Sequence, residues 1–407
     1  MISFLFIAWL NVPTFTRRPW DFETYRLAAR AAADGLNPYS ADDLERVARR
    51  PVGMHFFYPP ITLPLFLPFI GLSLPSAALL WLMIKTVVLV GLFQIWRKYF
   101  VPTVPLLLLC PAIAFAFNGS VIWDLRTGNV TIIQDLLIWL GLAAYVHGRR
   151  VLAAVGIVAG SIFKVLPAAF LLLLLFKVQD KRPSWKVVLV SLICLLILVF
   201  GASLFGFRWV PHFKSLSFAG PWGMANPSVL CVVNSLALRW NGAALPESSN
   251  LVLWLWYVLT LLLISAFALR RAWKAKDAML WVLTLTPLFV LLNPRPVAYG
   301  YFMATPSALV LLSEPIRIWR SEIAALVISA QGILGAFLEY RDVWTTNLAF
   351  LVLLAFWLFY ARSCSKSEKG HRGVHGIGPD AIQSLENHHS VGSSASRLVQ
   401  TARGLSR

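Results

Sequence analysis

Residues 251–269 read LVLWLWYVLTLLLISAFAL, nineteen positions without a charged side chain, and Arg270 and Arg271 follow directly. A helix needs about 20 mostly apolar residues to cross the roughly 30 Å hydrocarbon core of a bilayer. Similar apolar runs recur along the chain, and clusters of lysine and arginine separate many of them. This pattern predicts an integral membrane protein that crosses the bilayer many times.

The composition supports the same interpretation. Hydrophobic residues make up 58% of the 407 positions and charged residues only 13%. A soluble domain carries about 25% charged residues. The chain therefore lacks the polar surface that a water-soluble fold requires, and the bilayer is its predicted partner.

The net charge of +18 comes from 36 basic and 18 acidic residues. The basic residues lie between the apolar runs, as the positive-inside rule of membrane proteins describes. The 17 tryptophans and 27 phenylalanines fit lipid contact and interfacial belts. The excess of positive charge thus has a membrane explanation, and no nucleic-acid partner is predicted.

With the basic clusters placed in the cytoplasm, the sequence predicts an all-α bundle with about 12 transmembrane helices. One helix begins at Met1, and the others cover residues 76–96, 104–117, 129–146, 151–163, 165–176, 187–205, 251–269, 278–292, 297–312, 323–337 and 343–360. Residues 60–72 are too short to span and contain three prolines, so we expect a re-entrant or interfacial segment.

The predicted membrane domain covers residues 1–361 and has two large external loops, at about 16–58 and 206–250. Residues 362–407 are rich in Ser, Gly and His and lack apolar periodicity. Such a composition predicts a disordered, basic, cytoplasmic tail.

The first external loop contains two predicted amphipathic helices, which we expect to lie in the interface plane. The first covers about Phe22 to Ala33, with Asp21 at its N-cap and Gly35 at its end. The second covers about Ala41 to Arg50, capped by Ser40.

No metal site is predicted. The four cysteines are scattered without a C-x-x-C spacing, so neither a zinc site nor a disulfide framework is indicated. The adjacent pair Asp42-Asp43 is explained by the acidic first turn of a helix. We therefore expect no cofactor.

Several short strings carry a resemblance to a known family. Residues 21–29 read DFETYRLAA, residues 35–39 GLNPY, residues 57–60 FYPP, residues 160–167 GSIFKVLP and residues 226–228 NPS. Together with Gly128-Asn129, where the family usually has Gly-Gln, they resemble glycosyltransferase family 87. This family belongs to the GT-C superfamily of membrane glycosyltransferases.

The resemblance implies a function. Members of this family are similar to bacterial mannosyltransferases that use a polyprenyl-phosphate sugar donor and act on the outer face of the plasma membrane. It therefore implies transfer of a hexose, with mannose as the expected sugar, to a glycolipid or glycan hydroxyl.

The same resemblance implies that an aspartate in the first external loop acts as general base, which is Asp21 here. A carboxylate that takes the acceptor proton as the hydroxyl attacks the anomeric carbon suits this chemistry. A single base is enough for inversion. The alternative is that Asp21 only caps a helix. Asp34, Asp42, Asp43 and Glu45 are the weaker acidic candidates.

The resemblance also places Tyr25, Asn37 and Tyr58 in the substrate-binding strings of the first loop. For the phosphate leaving group, a cation is needed where negative charge develops. Basic residues are few on the predicted outer side beyond the first external loop, and Arg126, Lys164 and Arg295 lie at outer turns there. Each could instead be a snorkelling or salt-bridged side chain, and Asp124 could simply pair with Arg126.

Two other functions compete with sugar transfer. A transporter or flippase of lipid-linked sugars should contain inverted repeats and corresponding broken helices, and no such symmetry is visible in the sequence. A polymerase or ligase of whole glycans usually has its basic residues in a large late external loop, whereas the large predicted loops here come first and mid-chain.

Overall fold

A computed structural model describes residues 19–176, 184–201, 227–294, 296–313, 322–330 and 343–374. All regular secondary structure within these ranges is helical, which confirms the predicted all-α class. The described residues do not include the predicted first span at Met1, residues 331–337 of the predicted span 323–337, or residues 206–226 of the predicted loop 206–250.

The helices follow one another in a simple order. The α-helices are α1 Trp20–Ala33, α2 Ala41–Ala48, α3 Leu74–Ile95, α4 Leu106–Thr127, α5 Thr131–Val146, α6 Arg150–Ser161, α7 Trp185–Leu196, α8 Val229–Asn241, α9 Glu247–Ala275, α10 Ala278–Leu292, α11 Thr305–Val310 and α12 Val343–Val374. Three 3₁₀ helices cover Pro60–Phe69, Leu166–Leu175 and Ala298–Ala304. Short π-helical turns, Trp96–Phe100 and Ile197–Gly201, extend α3 and α7.

Four described helical stretches are long and apolar enough to cross a membrane: Leu74–Phe100, Leu106–Thr127, Glu247–Ala275 and Asn347–Ser365. Six further apolar helices have 10–17 residues. The apolar helices therefore agree with a membrane protein. The larger number of about 12 crossings is not established by these lengths and stays a prediction.

The long helix α9 presents an apolar surface to its surroundings. Leu255, Trp256, Leu259 and Leu263 are all about half exposed or more. Soluble monomers rarely leave contiguous apolar patches of this kind uncovered. A helix of 29 residues with such a face is suited to contact with lipid.

The first 3₁₀ helix, Pro60–Phe69, packs against α1. An aromatic cluster joins both elements to α3, since the Phe22 ring stacks on Trp81 with centroids 5.3 Å apart and meets Phe69 edge-on. One face of α1 packs into this cluster, since Phe22, Tyr25, Ala28 and Ala29 are buried.

Helix α4 is broken within its span. Phe117, Asn118 and Gly119 have φ values of 48°, 64° and 66°, in the left-handed region. Asn and Gly tolerate this region, whereas a bulky residue such as Phe117 does so at a cost. The Ser120 hydroxyl lies 2.7 Å from the Phe117 carbonyl within the break and 2.8 Å from the Ala298 carbonyl of the third 3₁₀ helix, so its single hydrogen can be donated to either. The break thus lets α4 dock on the third 3₁₀ helix.

Helices α5 and α6 form a tightly packed antiparallel hairpin. A Cβ atom added at Gly156 would lie 2.7 Å from the Gly141 Cα atom, and one added at Gly160 would lie 2.6 Å from the Ile138 side chain. Small residues allow this close approach of backbones, as they do at membrane helix interfaces. The hairpin brings the end of α6 beside the start of α5.

Helix α12 continues to Val374. The sequence predicted a span that ends at Tyr360, so the helix continues beyond the predicted span and through residues 362–374. The predicted disorder of the tail from residue 362 stays a prediction. The polar Ser, Lys and Glu residues there are compatible with a helix even though they lack apolar periodicity. Residues 375–407 lie outside the described part of the chain.

Candidate active site

Asp21 is held by the first turn of α1, but it is not the helix cap. The helix begins at Trp20 and the capping position is Pro19, where no side chain bonds to the helix. The interpretation of Asp21 as an N-cap is therefore wrong, because the helix begins two residues earlier than predicted, with Pro19 at the capping position. The Asp21 side chain is buried, 6% exposed, and its carboxylate points to the turn between α4 and α5.

Asn129 is the residue that meets Asp21. It follows Gly128, whose φ of 74° ends α4, and the Trp81 indole N–H fixes this turn by donating to the Gly128 carbonyl at 2.8 Å. The Asn129 Oδ1 atom accepts from the Thr131 backbone N–H at 3.1 Å and from the Thr131 hydroxyl at 2.8 Å. These two donors fix the orientation of the amide, so its Nδ2 atom must face Asp21.

The Asn129 Nδ2 atom lies at the centre of a polar group that we call the Asp21 cluster: Asp21, Tyr25, Tyr58, Asn129 and Tyr299. It is 2.9 Å from the Asp21 Oδ2 atom and 2.9, 3.1 and 2.7 Å from the hydroxyls of the three tyrosines. An amide nitrogen has only two hydrogens to donate. Four oxygens therefore share two donors, and the cluster can rearrange its hydrogen bonds when a further hydroxyl arrives.

The tyrosines come from three separate segments. Tyr25 lies on α1, Tyr58 directly before the first 3₁₀ helix, and Tyr299 in the third 3₁₀ helix. The Tyr25 hydroxyl donates to the Tyr58 hydroxyl at 2.9 Å. Burial raises the pKa of both hydroxyls. They therefore remain protonated at neutral pH and act as neutral hydrogen-bonding groups around the carboxylate.

Lys164 approaches the cluster from the α5–α6 hairpin. Its Nζ atom donates to the Thr131 hydroxyl at 2.8 Å, and that hydroxyl donates to Asn129. The Nζ atom also lies 5.1 Å from the centre of the Tyr299 ring, a cation–π distance. A chain of two hydrogen bonds thus connects the lysine to the residue that contacts Asp21.

The electrostatics of Asp21 follow from these contacts. Burial raises the pKa of the Asp21 carboxyl above its usual 3.8, while hydrogen bonds from Asn129 and Thr127 and the charges of Lys164 and Lys85 act in the opposite direction. A raised pKa makes a carboxylate a stronger base and moves it toward the operating pH of a general base. The arrangement can therefore accept a proton from a neighbouring hydroxyl.

A buried ion pair lies behind the cluster. The Lys85 Nζ atom of α3 is 2.5 Å from the Asp124 Oδ1 atom of α4, and both side chains are at most 1% exposed. Lys85 also donates to the Asp124 backbone carbonyl. Asp124 therefore pairs with Lys85, and the suggested pairing with Arg126 is wrong, because Asp124 faces into the bundle toward α3.

A second buried acid, Asp135, lies one turn along α5 from Thr131, so both side chains share a face of the helix. It is 1% exposed. Lys164 is the main positive charge that acts on it. The polar interior around Lys164 thus extends further into the bundle than the Asp21 cluster.

Four of the seven residues predicted for the site meet here: Asp21, Tyr25, Tyr58 and Lys164. Asn37 does not, because its Oδ1 atom accepts from the Tyr39 N–H at 3.0 Å and shapes the turn between α1 and α2.

Of the other two predicted cations, Arg126 is not part of this group. The Arg126 guanidinium lies 5.8 Å from the centre of the Trp123 ring, one turn back on α4. Arg295 lies outside the described residues.

Three of the other four acidic candidates have local partners. Asp34 pairs with Arg30 at 2.9 Å, and Asp43 pairs with Arg46 at 3.3 Å. The Glu45 carboxylate accepts from the Val52 N–H at 3.2 Å. Asp42 lies in the first turn of α2, as expected for an acidic residue near a helix N-terminus.

Lys85, Thr131 and Tyr299 were not predicted from the sequence. A signal existed for Lys85, since a charged residue inside an apolar span is costly and marks a functional interior. Thr131 and Tyr299 carry no such signal, because hydroxyl residues at helix starts are common. Within the described residues, no group of three or more His, Cys, Asp or Glu side chains could hold a metal ion.

Helices of membrane length that enclose a buried carboxylate, a lysine and three tyrosines define a polytopic membrane protein with a polar internal site. A comparison with protein-family models assigns the chain more narrowly, since residues 56–294 match glycosyltransferase family 87. The match covers more than half of the chain. The protein therefore belongs to glycosyltransferase family 87 and is a glycosyltransferase, as the short strings in its sequence predicted. No curated protein matches the chain.

Proposed function

We propose that the protein transfers a hexose, mannose in the first instance, from a polyprenyl-phosphate donor to the hydroxyl of a glycolipid or glycan acceptor. The reaction takes place on the outer face of a bacterial plasma membrane, which the chain crosses about 12 times with its C-terminal tail in the cytoplasm. Membership of a glycosyltransferase family favours transfer over the alternative of a transporter or flippase.

In the proposed step, the acceptor oxygen attacks the anomeric carbon of the donor sugar. A new carbon–oxygen bond forms as the bond from that carbon to the phosphate oxygen breaks. The acceptor proton moves to the Asp21 carboxylate, and the polyprenyl phosphate leaves with the electron pair of the broken bond. A single displacement of this kind inverts the configuration at the anomeric carbon.

One observation carries the proposal. Asp21 is a carboxylate whose pKa is raised by burial, and the oriented Asn129 amide holds it in place. A general base needs such a pKa and a fixed geometry. Lys164 supplies a cation on the same side of α5, where the negative charge of the leaving phosphate can be stabilised. Arg126 and Arg295 are further candidates for contact with the phosphate, and Asn37 for contact with the substrate.

The test is transfer by Asp21→Asn protein in nanodiscs, with a synthetic polyprenyl-phosphate mannose as donor. Asn cannot accept the proton, so turnover should fall by about 10²–10⁴, while donor binding, measured alongside, should persist. Near-normal turnover by the folded variant would remove the mechanism. Donors that carry glucose, galactose or arabinose, assayed in parallel, determine which sugar is used.

A further inference from the structure

A basic groove lies along α1, on a different face of this helix from the Asp21 cluster. It has a volume of about 460 Å³ and is formed by α1, α2 and the segment that leads into α3. Five arginines line it, and we call it the arginine groove: Arg26, Arg30, Arg46, Arg49 and Arg50. Only two carboxylates, Glu23 and Asp34, are in its lining. The groove therefore has an excess of positive charge.

Most of these guanidinium groups keep donors free for a ligand. Arg30 and Arg46 form ion pairs with Asp34 and Asp43 at the helix surface, where such pairs are weak. An arginine has five N–H donors, and one carboxylate uses only some of them. An anion that enters the groove can therefore bind Arg30 and Arg46, because Asp34 and Asp43 compete only weakly for the two guanidinium groups.

The remaining arginines have different roles. Arg26 donates to the carbonyls of Phe69 and Leu72 and so fixes the wall of the groove. Arg50 pairs with Glu23. The exposed Arg49 side chain makes no hydrogen bond or ion pair with the described part of the chain. Its backbone, at φ 53°, ends α2 in the left-handed conformation and turns the chain at the groove.

The position of the groove relates it to the membrane. Leu74, which lines it, is the first residue of the membrane-length stretch Leu74–Phe100. Ile70 also lines it, and the neighbouring Leu67 and Leu72 are exposed. A basic site at the end of a span, beside exposed apolar side chains, lies at the level of lipid headgroups.

We propose that the arginine groove binds the phosphate of an anionic lipid headgroup. The planar guanidinium fork matches phosphate oxygens in a bidentate manner, which lysine does not. The apolar part of the lining accommodates the glycerol and the first acyl carbons of the lipid. This site is separate from the Asp21 cluster, because Arg26 and Arg30 lie on a different face of α1 from Asp21 and Tyr25. The inference therefore does not depend on the proposed transfer reaction.

The test measures lipid binding by the full chain in detergent with native mass spectrometry, in the absence of donor and acceptor. The probes are phosphatidylglycerol and phosphatidylcholine. The variant is Arg46→Gln/Arg49→Gln, and the control is Arg149→Gln/Arg239→Gln, which removes the same charge from exposed positions elsewhere. We expect the groove variant to bind phosphatidylglycerol about tenfold or more weakly, with phosphatidylcholine binding unchanged and the control close to wild type.

Two outcomes would overturn the proposal. Equal phosphatidylglycerol binding by the groove variant and wild type would mean that the groove holds no lipid phosphate. Inorganic phosphate as a second probe distinguishes the source of the anion. If phosphate binding depends on Arg46 and Arg49 while phosphatidylglycerol binding does not, the site takes a soluble anion and the lipid assignment is wrong. Thermal unfolding of all variants confirms that the comparison is between folded proteins.

Discussion

The Asn129 amide nitrogen lies 2.9 Å from the Asp21 carboxylate, although 108 positions of sequence separate the two residues. Thr131 occupies the amide oxygen of Asn129 from the opposite side. The amide therefore cannot rotate without breaking two hydrogen bonds to Thr131, the first residue of α5. This geometry explains how a residue of the first loop is fixed against the bundle, and it makes Asn129 a sensitive position for testing the base.

We expect Asn129→Asp to move the acidic limb of the pH–rate profile upward. Asp can still accept from Thr131, since its carboxylate keeps an acceptor oxygen in the place of the Asn129 amide oxygen. Its second oxygen replaces a donor beside Asp21, and a neighbouring like charge raises the pKa of a carboxyl. The rate is lost as pH falls through the pKa of Asp21, which burial already holds above 3.8. The midpoint of this limb should therefore move to higher pH by about one pH unit or more.

The measurement is kcat/KM against pH for wild type and Asn129→Asp. Asn241→Asp, at an exposed position on α8, is the matched control and should leave the limb in place. An unchanged limb in Asn129→Asp would show that Asp21 is not the group whose titration sets it.

Asp21→Asn should be no less stable than wild type at neutral pH. A carboxyl whose folded pKa is raised above its unfolded value stabilises the fold below the unfolded pKa. That contribution is lost as pH rises through the folded pKa. At pH 7 the ionised Asp21 therefore destabilises the folded state. Asn has nearly the same shape without the charge, so Asp21→Asn removes this destabilisation. The thermal midpoints in detergent should differ in favour of Asn at pH 7 and converge toward pH 4. A large loss of stability at pH 7 would indicate a structural carboxylate.

Lys164→Met should lower kcat or raise the donor KM, with a combined loss of about 10²–10³ in kcat/KM. The change keeps the apolar stem of the side chain and removes the charge proposed to stabilise the leaving phosphate. Lys186→Met, exposed on α7, serves as the control for loss of a lysine. Arg295→Gln tests the second predicted cation in the same assay. If Lys164→Met and Arg295→Gln both keep wild-type turnover, the phosphate is held elsewhere, and Arg126 is tested next.

Gly156→Ala should destabilise the protein by about 1–3 kcal/mol, as overpacking does. Its Cβ atom would lie 2.7 Å from the Gly141 backbone, which cannot move aside. Gly91→Ala is the matched control on another helix, because its Cβ atom would lie 3.7 Å from the Leu136 side chain, an ordinary contact. It should be neutral or stabilising by up to about 1 kcal/mol. Thermal unfolding distinguishes the two, and equal midpoints would contradict the close packing of α5 and α6.

The sequence was sufficient for the helices because apolar runs are a one-dimensional signal. The predicted stretch 278–292 coincides with α10, and 129–146 and 151–163 agree closely with α5 and α6. It was less informative about breaks. The prediction ended a helix at Phe117, whereas α4 resumes after four non-helical residues, because contacts with Ala298 in a distant segment support the break.

The site was predictable in part, because some of its residues are marked by local patterns in the sequence. Asp21, Tyr25 and Tyr58 belong to short strings in one loop, and Lys164 is a lone charge among apolar residues. Tyr299 could not be associated with them, because only the packing of the third 3₁₀ helix on α4 brings its hydroxyl to Asn129. The partner of Asp124 was assigned wrongly for a related reason. Arg126 is near in sequence, but two residues along a helix point in nearly opposite directions.

The buried pair of Lys85 and Asp124 bears on how the chain enters a membrane during synthesis. A lysine near the centre of a helix costs roughly 2.5–3.5 kcal/mol on insertion scales. Helix α3 emerges from the ribosome with Lys85 before its carboxylate partner on α4 has been made. Insertion of the two helices together, as a hairpin with the charges already neutralised, avoids exposing either one to lipid. The ion pair behind the site thus couples the biogenesis of α3 to that of α4.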